Sequence, residues 1–499
     1  MQKDVNKKSV KVNAFLNVSK TVVSFIFPLI TFPYSSHVLG VEAVGKYNFG
    51  TSIISYFLLL AALGIVMYGV REGTKYRDDK EKISRFCSEV FSINVYSTLI
   101  SLCLLALCVW CIPKLQGYAV IILILSLRII LTTLNVNWIY SIFEDFLLNT
   151  IVTIILDIIG IIAMVTLVHS PADLYMYVFI AVMTYSGYGI FQFAYVHHYV
   201  KLRFIWNPDL RHLKPILIIF SMELGATIYI SSDITILGWI GGDRATGLYS
   251  TASYIYLIVK QVLSALVMVV IPRFSYFIGA EERAVEGGDS EKAEEYKKDA
   301  VTLGETLQDS MITFCLPCMV GLILMAEPIV LIFAGADFSE SVASLQLLSL
   351  ALVFAMMEDF YGNCILIAYK REMTFMCLTI SAALINIILN FILIPHFMQN
   401  AAAVTTIIAE VFMGLTTYYF SKKDIKIKIH WSILLKTCVG CVAIAVVCYV
   451  LKLLVAGNLM FMITGVICSI AVYAIVEVII KNPVAVNLVS NIKRIIKKR

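Results

Sequence analysis

A chain of 499 residues that is 60% hydrophobic and 15% charged, with a mean hydropathy of +0.87, lies outside the range of soluble domains, which average about 45–50% apolar and about 25% charged residues. That excludes a soluble protein and makes the chain an integral membrane protein. The net charge of +5 is modest and argues against nucleic acid as a partner.

A hydrocarbon core about 30 Å thick takes about 20 apolar residues per helix. Fourteen runs meet that length: 13–36, 47–70, 88–112, 119–141, 149–169, 174–197, 215–240, 248–272, 306–333, 344–369, 374–394, 402–421, 432–454 and 459–480. The first run exceeds the h-region of a signal peptide, about 7–15 residues, and reads as a permanent span. An all-α membrane protein with fourteen transmembrane helices is the expected fold class.

Between the first two runs lies Gly40-Val-Glu-Ala-Val-Gly45-Lys-Tyr47. Between the seventh and eighth lies Gly242-Asp-Arg-Ala-Thr-Gly247-Leu-Tyr249, the same Gly-x4-Gly-x-Tyr pattern 202 positions later. The same offset carries Arg71 onto Arg273. The chain is therefore expected to consist of two related halves, with an N-terminal six-helix lobe over 1–205, a second over 206–421, and two extra helices with a basic tail over 422–499. Gly40-x4-Gly45-Lys46 resembles a phosphate-binding loop. It lacks the Ser or Thr that holds magnesium, has no preceding buried strand, and its echo replaces the lysine with Leu248. The glycines and tyrosines (Gly40, Gly45, Tyr47, Gly242, Gly247, Tyr249) read instead as helix-joining turns with an aromatic anchor at headgroup level.

Charge placement orients the chain. With the N-terminus inside, the inner segments hold 31 of the 39 lysines and arginines, and the outer turns hold Lys46, Lys114 and Arg244. Both termini are expected in the cytoplasm. The segment 198–214 reads as a linker between lobes, and 279–305, rich in both charges, as a solvated cytoplasmic helix. The 12 cysteines mostly lie in apolar runs and read as small hydrophobes. Cys315-Leu-Pro-Cys318 has redox-pair spacing but no βαβ context. His37, His197 and His198 lack partners at metal-ligand spacing, so no metal or cofactor is expected.

Ionisable groups inside spans mark function by default. Arg128 and Lys260 sit near the middle of spans 4 and 8, and Lys20 lies in the inner part of span 1. Asp157, Glu223 and Asp233 could neutralise them or bind a coupling proton or sodium ion. Glu358-Asp359 lie in span 10, and Glu410 in span 12 reads as structural. Lys436 and Lys452, close to helix ends, snorkel. A wet cavity with fixed cations at membrane depth suits a lipid phosphate or diphosphate. Arg128, Lys260 and Lys20 are therefore the candidate substrate-binding residues.

At Leu39-Gly40 through Gly45-x-Tyr47, at Asn137-Trp138 with Glu144, at Asn386-Ile-Ile-Leu-Asn390-Phe-Ile-Leu-Ile-Pro395, and at Ala401-Ala-Ala403 with Glu410, the chain resembles the Wzx-type oligosaccharide flippases. These polysaccharide exporters share a superfamily with multidrug and toxin extrusion transporters and lipid II flippases. After Pro395 the family's turn glycines are replaced by His396-Phe-Met-Gln-Asn400. The resemblance implies two six-helix bundles around a central cavity, with two additional C-terminal helices. It also implies alternating-access movement of undecaprenyl-diphosphate-linked repeat units across the bacterial cytoplasmic membrane, for O-antigen, capsule or exopolysaccharide synthesis. A polymerase and other polysaccharide assembly proteins would be its partners. Two other readings stand beside it. A cation-coupled multidrug exporter would rest on Asp157, Glu223 and Asp233. A membrane glycosyltransferase would need a long outer loop, which this chain lacks. A transporter, not an enzyme, is expected.

Overall fold

A computed structural model describes residues 10–497, with the side chains of 10–26, 222 and 491–497 outside that description. Its regular structure is helical throughout, among the described residues. Twelve described stretches are long and apolar enough to cross a membrane. Two of them, Phe27–Tyr76 and Glu372–Ser421, are 50 residues each, about 75 Å of helix against a core of about 30 Å. Each contains a residue with non-helical dihedrals, Gly40 (φ 75°, ψ 173°) and Met398 (φ 48°, ψ −127°). Divided there, the twelve stretches become the fourteen expected spans.

The chain forms two compact units, Met1–Gly247 and Leu248–Arg499. The first holds α1 (Val10–Ala62), α2 (Ile65–Gly73), α3 (Lys80–Cys111), the short α4 (Pro113–Gln116), α5 (Ala119–Leu134), α6 (Asn137–Ile142), α7 (Leu147–Leu167), α8 (Leu174–Ser186), α9 (Tyr188–Tyr195), α10 (Leu213–Ile240) and the start of α11 (Gly242–Glu286). The second holds the rest of α11, then α12 (Ser290–Phe333), α13 (Ser341–Glu358), a π-helical segment (Asp359–Leu366), α14 (Glu372–Ser421), α15 (Trp431–Leu454), α16 (Asn458–Ile479) and α17 (Pro483–Lys497).

Local chemistry sets the helix ends. Asp79 caps α3 by accepting from the backbone of Glu81 and Lys82, and Asp289 caps α12 from Lys292, each satisfying donors that the first helical turn leaves unpaired. The second and fourth spans are broken. Leu63 and Gly64 both have positive φ between α1 and α2. The side-chain oxygen of Asn135 accepts from the Asn137 backbone at 3.2 Å, ending α5 and starting α6. The broken pieces α2 and α6 then pack on one another, with the Trp138 ring against Gly69 and Ile142 against Gly73. This is the core of the first unit, where Phe86, Trp138, Ile139 and Tyr140 are buried.

The segment after α9 runs along α3. Backbone groups of Lys201, Arg203 and Ile205 donate to the hydroxyls of Ser84, Ser88 and Ser92 at 3.2, 3.0 and 2.8 Å, and Tyr96 donates to the Trp206 carbonyl at 2.7 Å. Two residues of extended chain advance about 6.6 Å and four of helix about 6 Å, so the two periods match.

In the second unit, Met325 of α12 packs with Ile444 and Cys448 of α15 and Phe461 of α16. The outer faces of the last two spans keep Leu435, Val439, Val442, Ile463, Ile467 and Ile470 exposed, an apolar surface of the kind that lipid covers. All twelve cysteines are free, Cys315 and Cys318 among them.

Candidate functional site

Arg128 lies on α5 and is half-buried. Its Nε is enclosed, and among the described residues it has no hydrogen-bond partner and no carboxylate pairs with the guanidinium. The described polar group beside it is neutral. The Tyr188 hydroxyl on α9 feels its charge and accepts from Asn135 Nδ2 at 3.0 Å. Among the described residues no acid neutralises this guanidinium, whose planar fork has the geometry to meet two oxygens of a phosphate.

Lys260 has different surroundings. Its Nζ lies 3.0 Å from Glu410 Oε1, with 20% of the lysine side chain exposed and 3% of the glutamate. Glu358 and Asp359 stand close enough to act on the same charge. Asp359 is itself engaged, accepting from Ser264 Oγ and from Asn363 Nδ2. Tyr256 is buried, and its hydroxyl has no hydrogen-bond partner among the described residues. Glu410 is thus the counter-ion of Lys260. Asp359 opens the π-helical segment, an irregularity that often occurs at functional sites.

The remaining sequence-derived residues are dispersed. The side chain of Lys20, on α1, lies outside the described residues. Asp157 on α7 and Asp233 on α10 are both buried, each with polar or charged company. Glu223 on α10 is half-buried and makes no ion pair among the described residues. Beside Asp233 runs a seam of hydroxyls between α1 and α10. Ser55 donates to Ser231 at 3.0 Å, Thr235 donates to Ser52 at 3.0 Å, and Tyr56 meets Thr235 at 3.1 Å.

The repeated turns pack reciprocally within the first unit. Gly40 and Gly242 have φ of 75° and 78°, where only glycine is unstrained. A Cβ on Gly45 would fall 1.8 Å from the Asp243 carbonyl oxygen, and one on Gly247 would fall 2.1 Å from that of Val41. Asp243 is the repeat partner of Val41 at the same 202-residue offset, so the two contacts are one contact made twice. Tyr118 donates to the Asp243 carboxylate, and Lys114 donates to the Trp239 carbonyl at 3.1 Å.

Sequence reasoning placed Lys260 and Glu410 at membrane depth but passed over Tyr256, Ser264 and Asn363. The signal was present. Tyr256, Lys260 and Ser264 recur every four residues, a polar stripe on one face of an apolar helix. No metal-holding group of three His, Cys, Asp or Glu is found among the described residues.

A family model described as polysaccharide biosynthesis protein matches residues 10–277. A protein of Escherichia coli (strain K12) whose name assigns it to O-antigen transport is 22% identical over 429 residues, covering 84% of this chain and 99% of that one. The capsular polysaccharide biosynthesis protein CapF of Staphylococcus aureus is 24% identical over 393 residues, 77% of this chain and 91% of that one. Among solved structures, the lipid II flippase MurJ in an inward closed conformation is similar with a TM-score of 0.71 at 20% identity, over 93% of this chain and 98% of that one. An inward-facing multidrug resistance MATE transporter is similar with a TM-score of 0.57 at 14% identity, over 80% and 93%. At these identities the two structures speak to the fold alone.

Proposed function

The chain belongs to the polysaccharide biosynthesis protein family, and on that premise we propose that it is a flippase for lipid-linked oligosaccharide repeat units. It is a multi-pass membrane transporter and not an enzyme. The relatives' names in O-antigen transport and capsule synthesis support this reading. The observation that carries it to a site is Arg128, a cation at membrane depth with no carboxylate partner among the described residues. A substrate with a diphosphate between its sugar and its polyisoprenyl tail supplies the missing anion. The head then crosses by alternating access while the tail stays in the bilayer.

Lys260 and Lys20 are the further cations of this proposal, and Asp157, Glu223 and Asp233 its coupling groups, for a proton or a sodium ion. The charge bias of the loops supports a bacterial cytoplasmic membrane with both termini inside. A polymerase and other assembly proteins would receive the product. The multidrug alternative has only a shared fold behind it.

The test is transport of a lipid-diphosphate-linked oligosaccharide by purified protein in liposomes. Arg128→Ala should lose nearly all transport and Arg128→Lys should keep part of it, because a point charge replaces the fork. Full transport by Arg128→Ala would remove Arg128 from the substrate path.

A further inference from the structure

We propose that α17 is an interfacial helix that binds an anionic lipid surface, with its apolar side toward the acyl chains and its basic run among the lipid phosphates. The inference needs only that the chain is a multi-pass membrane protein, and it is independent of what the protein transports.

The amino-acid pattern carries the first part. From Pro483 onward, apolar residues recur at 484, 485, 488, 489, 492, 495 and 496, the three- and four-residue spacing of one side of a helix. Residues 483–499 hold five lysines and arginines and no acid. The remaining basic residues are equal in number to the 34 aspartates and glutamates, so the net charge of +5 sits entirely in this segment. At 15 residues, α17 falls short of the roughly 20 that a span needs. A short helix with one apolar side and an all-positive remainder suits the plane of the interface.

The corner before α17 is built to redirect the chain. Lys481 takes a φ of 56°, and the Asn482 backbone donates to the Glu477 carbonyl at 2.8 Å. A left-handed residue followed by that bond is a helix-stopping turn, so α17 leaves the axis of α16. Asn482 then caps the new helix, its side-chain oxygen accepting from the Val484 backbone at 3.0 Å. Pro483 takes the first helical position, where an N–H would be unpaired in any case. The cap is itself held. Asn482 is buried, and its amide donates to the buried Glu477 carboxylate at 2.5 Å.

The same corner fixes the depth. Lys436, in the second turn of α15, donates to the Lys481 carbonyl at 2.9 Å. Trp431, the first residue of α15, is exposed, and a tryptophan at a span end marks the headgroup level. The five residues between Trp431 and Lys436 rise about 8 Å, so α17 sets out close to that level. On α17, Val486 and Leu488 are exposed and Val484, Ala485 and Val489 half-buried. Apolar side chains left open at headgroup depth are covered by lipid, and an unbalanced positive charge beside them selects lipids with negative head groups.

The experiment is hydrogen–deuterium exchange of the full-length protein, read by mass spectrometry over 483–497. It compares nanodiscs of phosphatidylcholine with nanodiscs of equal parts phosphatidylcholine and phosphatidylglycerol, with α15 as the internal reference. Each basic residue near an anionic surface is worth about fivefold in binding, so α17 should exchange at least about tenfold more slowly in the anionic nanodiscs. High salt should remove the difference by screening it. Lys493→Gln, Arg494→Gln and Lys497→Gln together should remove it too, whereas Lys493→Arg with Lys497→Arg should keep it. Leu488→Ser should speed exchange in the anionic nanodiscs. Equal exchange of the parent in the two lipids would overturn the proposal. Strong protection in both would mean that α17 packs on protein, and none in either would leave its apolar side to a soluble partner. A difference that survived the triple neutralisation would overturn it as well, since charge would not be what selects the lipid.

Discussion

Around Arg128 the first unit presents a tyrosine hydroxyl, an asparagine amide and no carboxylate at ion-pair distance among the described residues. Around Lys260 the second unit presents three carboxyl groups, one of them 3.0 Å away. Yet the chain carries Gly-x4-Gly-x-Tyr twice, 202 positions apart. In both turns the second glycine has no room for a side chain, since a Cβ on Gly45 or Gly247 would collide with backbone. The buried cations are under no such constraint, since their worth depends on what each must bind. One half holds its positive charge open, and the other holds it in check.

The largest expected effect tests that contrast through stability. Lys260→Ala leaves Glu410 buried without a counter-ion, which costs about 3–5 kcal/mol in comparable pairs, and Glu410→Gln added to it should restore most of the loss. Arg128→Ala strands no acid among the described residues and should cost far less, within about 1 kcal/mol. Thermal unfolding in detergent compares them directly. Equal losses would mean that Arg128, too, has a partner that holds it.

How far the sequence reveals this arrangement depends on the range of the interaction. Fourteen spans are legible because each needs only its own 20 apolar residues. The breaks at Leu63-Gly64 and at Asn135 are not, since an apolar run looks the same whether or not its backbone bends. The serines at 84, 88 and 92 mark a polar stripe on α3. What they receive, the backbone of 201–205, is more than a hundred residues away. The same holds for Lys260 and Glu410, separated by 150 positions. The depth of each charge follows from its place in a span, but which way it faces follows from packing that a single sequence does not encode locally.

A smaller effect sharpens the part of the comparison on which the halves agree. At Gly45 and Gly247 the space for a methyl is taken by a carbonyl oxygen, 1.8 Å and 2.1 Å from where the Cβ would fall. Backbone cannot yield as a flexible side chain can. Gly45→Ala and Gly247→Ala should each cost about 1–3 kcal/mol, the range for overpacking, by nearly equal amounts. Unfolding temperatures in detergent would show it. If one substitution is tolerated and the other is not, the repeat is a likeness of sequence that the packing no longer uses.

The smallest effect separates the two tyrosines that close the motif. Tyr47 meets Tyr177 edge-on, with ring centroids 5.1 Å apart and planes at 77°, a contact that phenylalanine keeps. Tyr249 instead reaches Thr406 Oγ1 at 3.0 Å. The hydrogen of Thr406 is already given to the Ala402 carbonyl at 2.8 Å, so Tyr249 is the donor. Tyr249→Phe removes that bond but leaves Thr406 its own, which puts the loss near the low end of about 0.5–1.5 kcal/mol. Tyr47→Phe should be close to neutral. A double-mutant cycle with Thr406→Ala isolates the bond from the packing around it. A coupling energy near zero would mean that Tyr249 serves its helix by packing alone, and that the two halves agree at this residue after all.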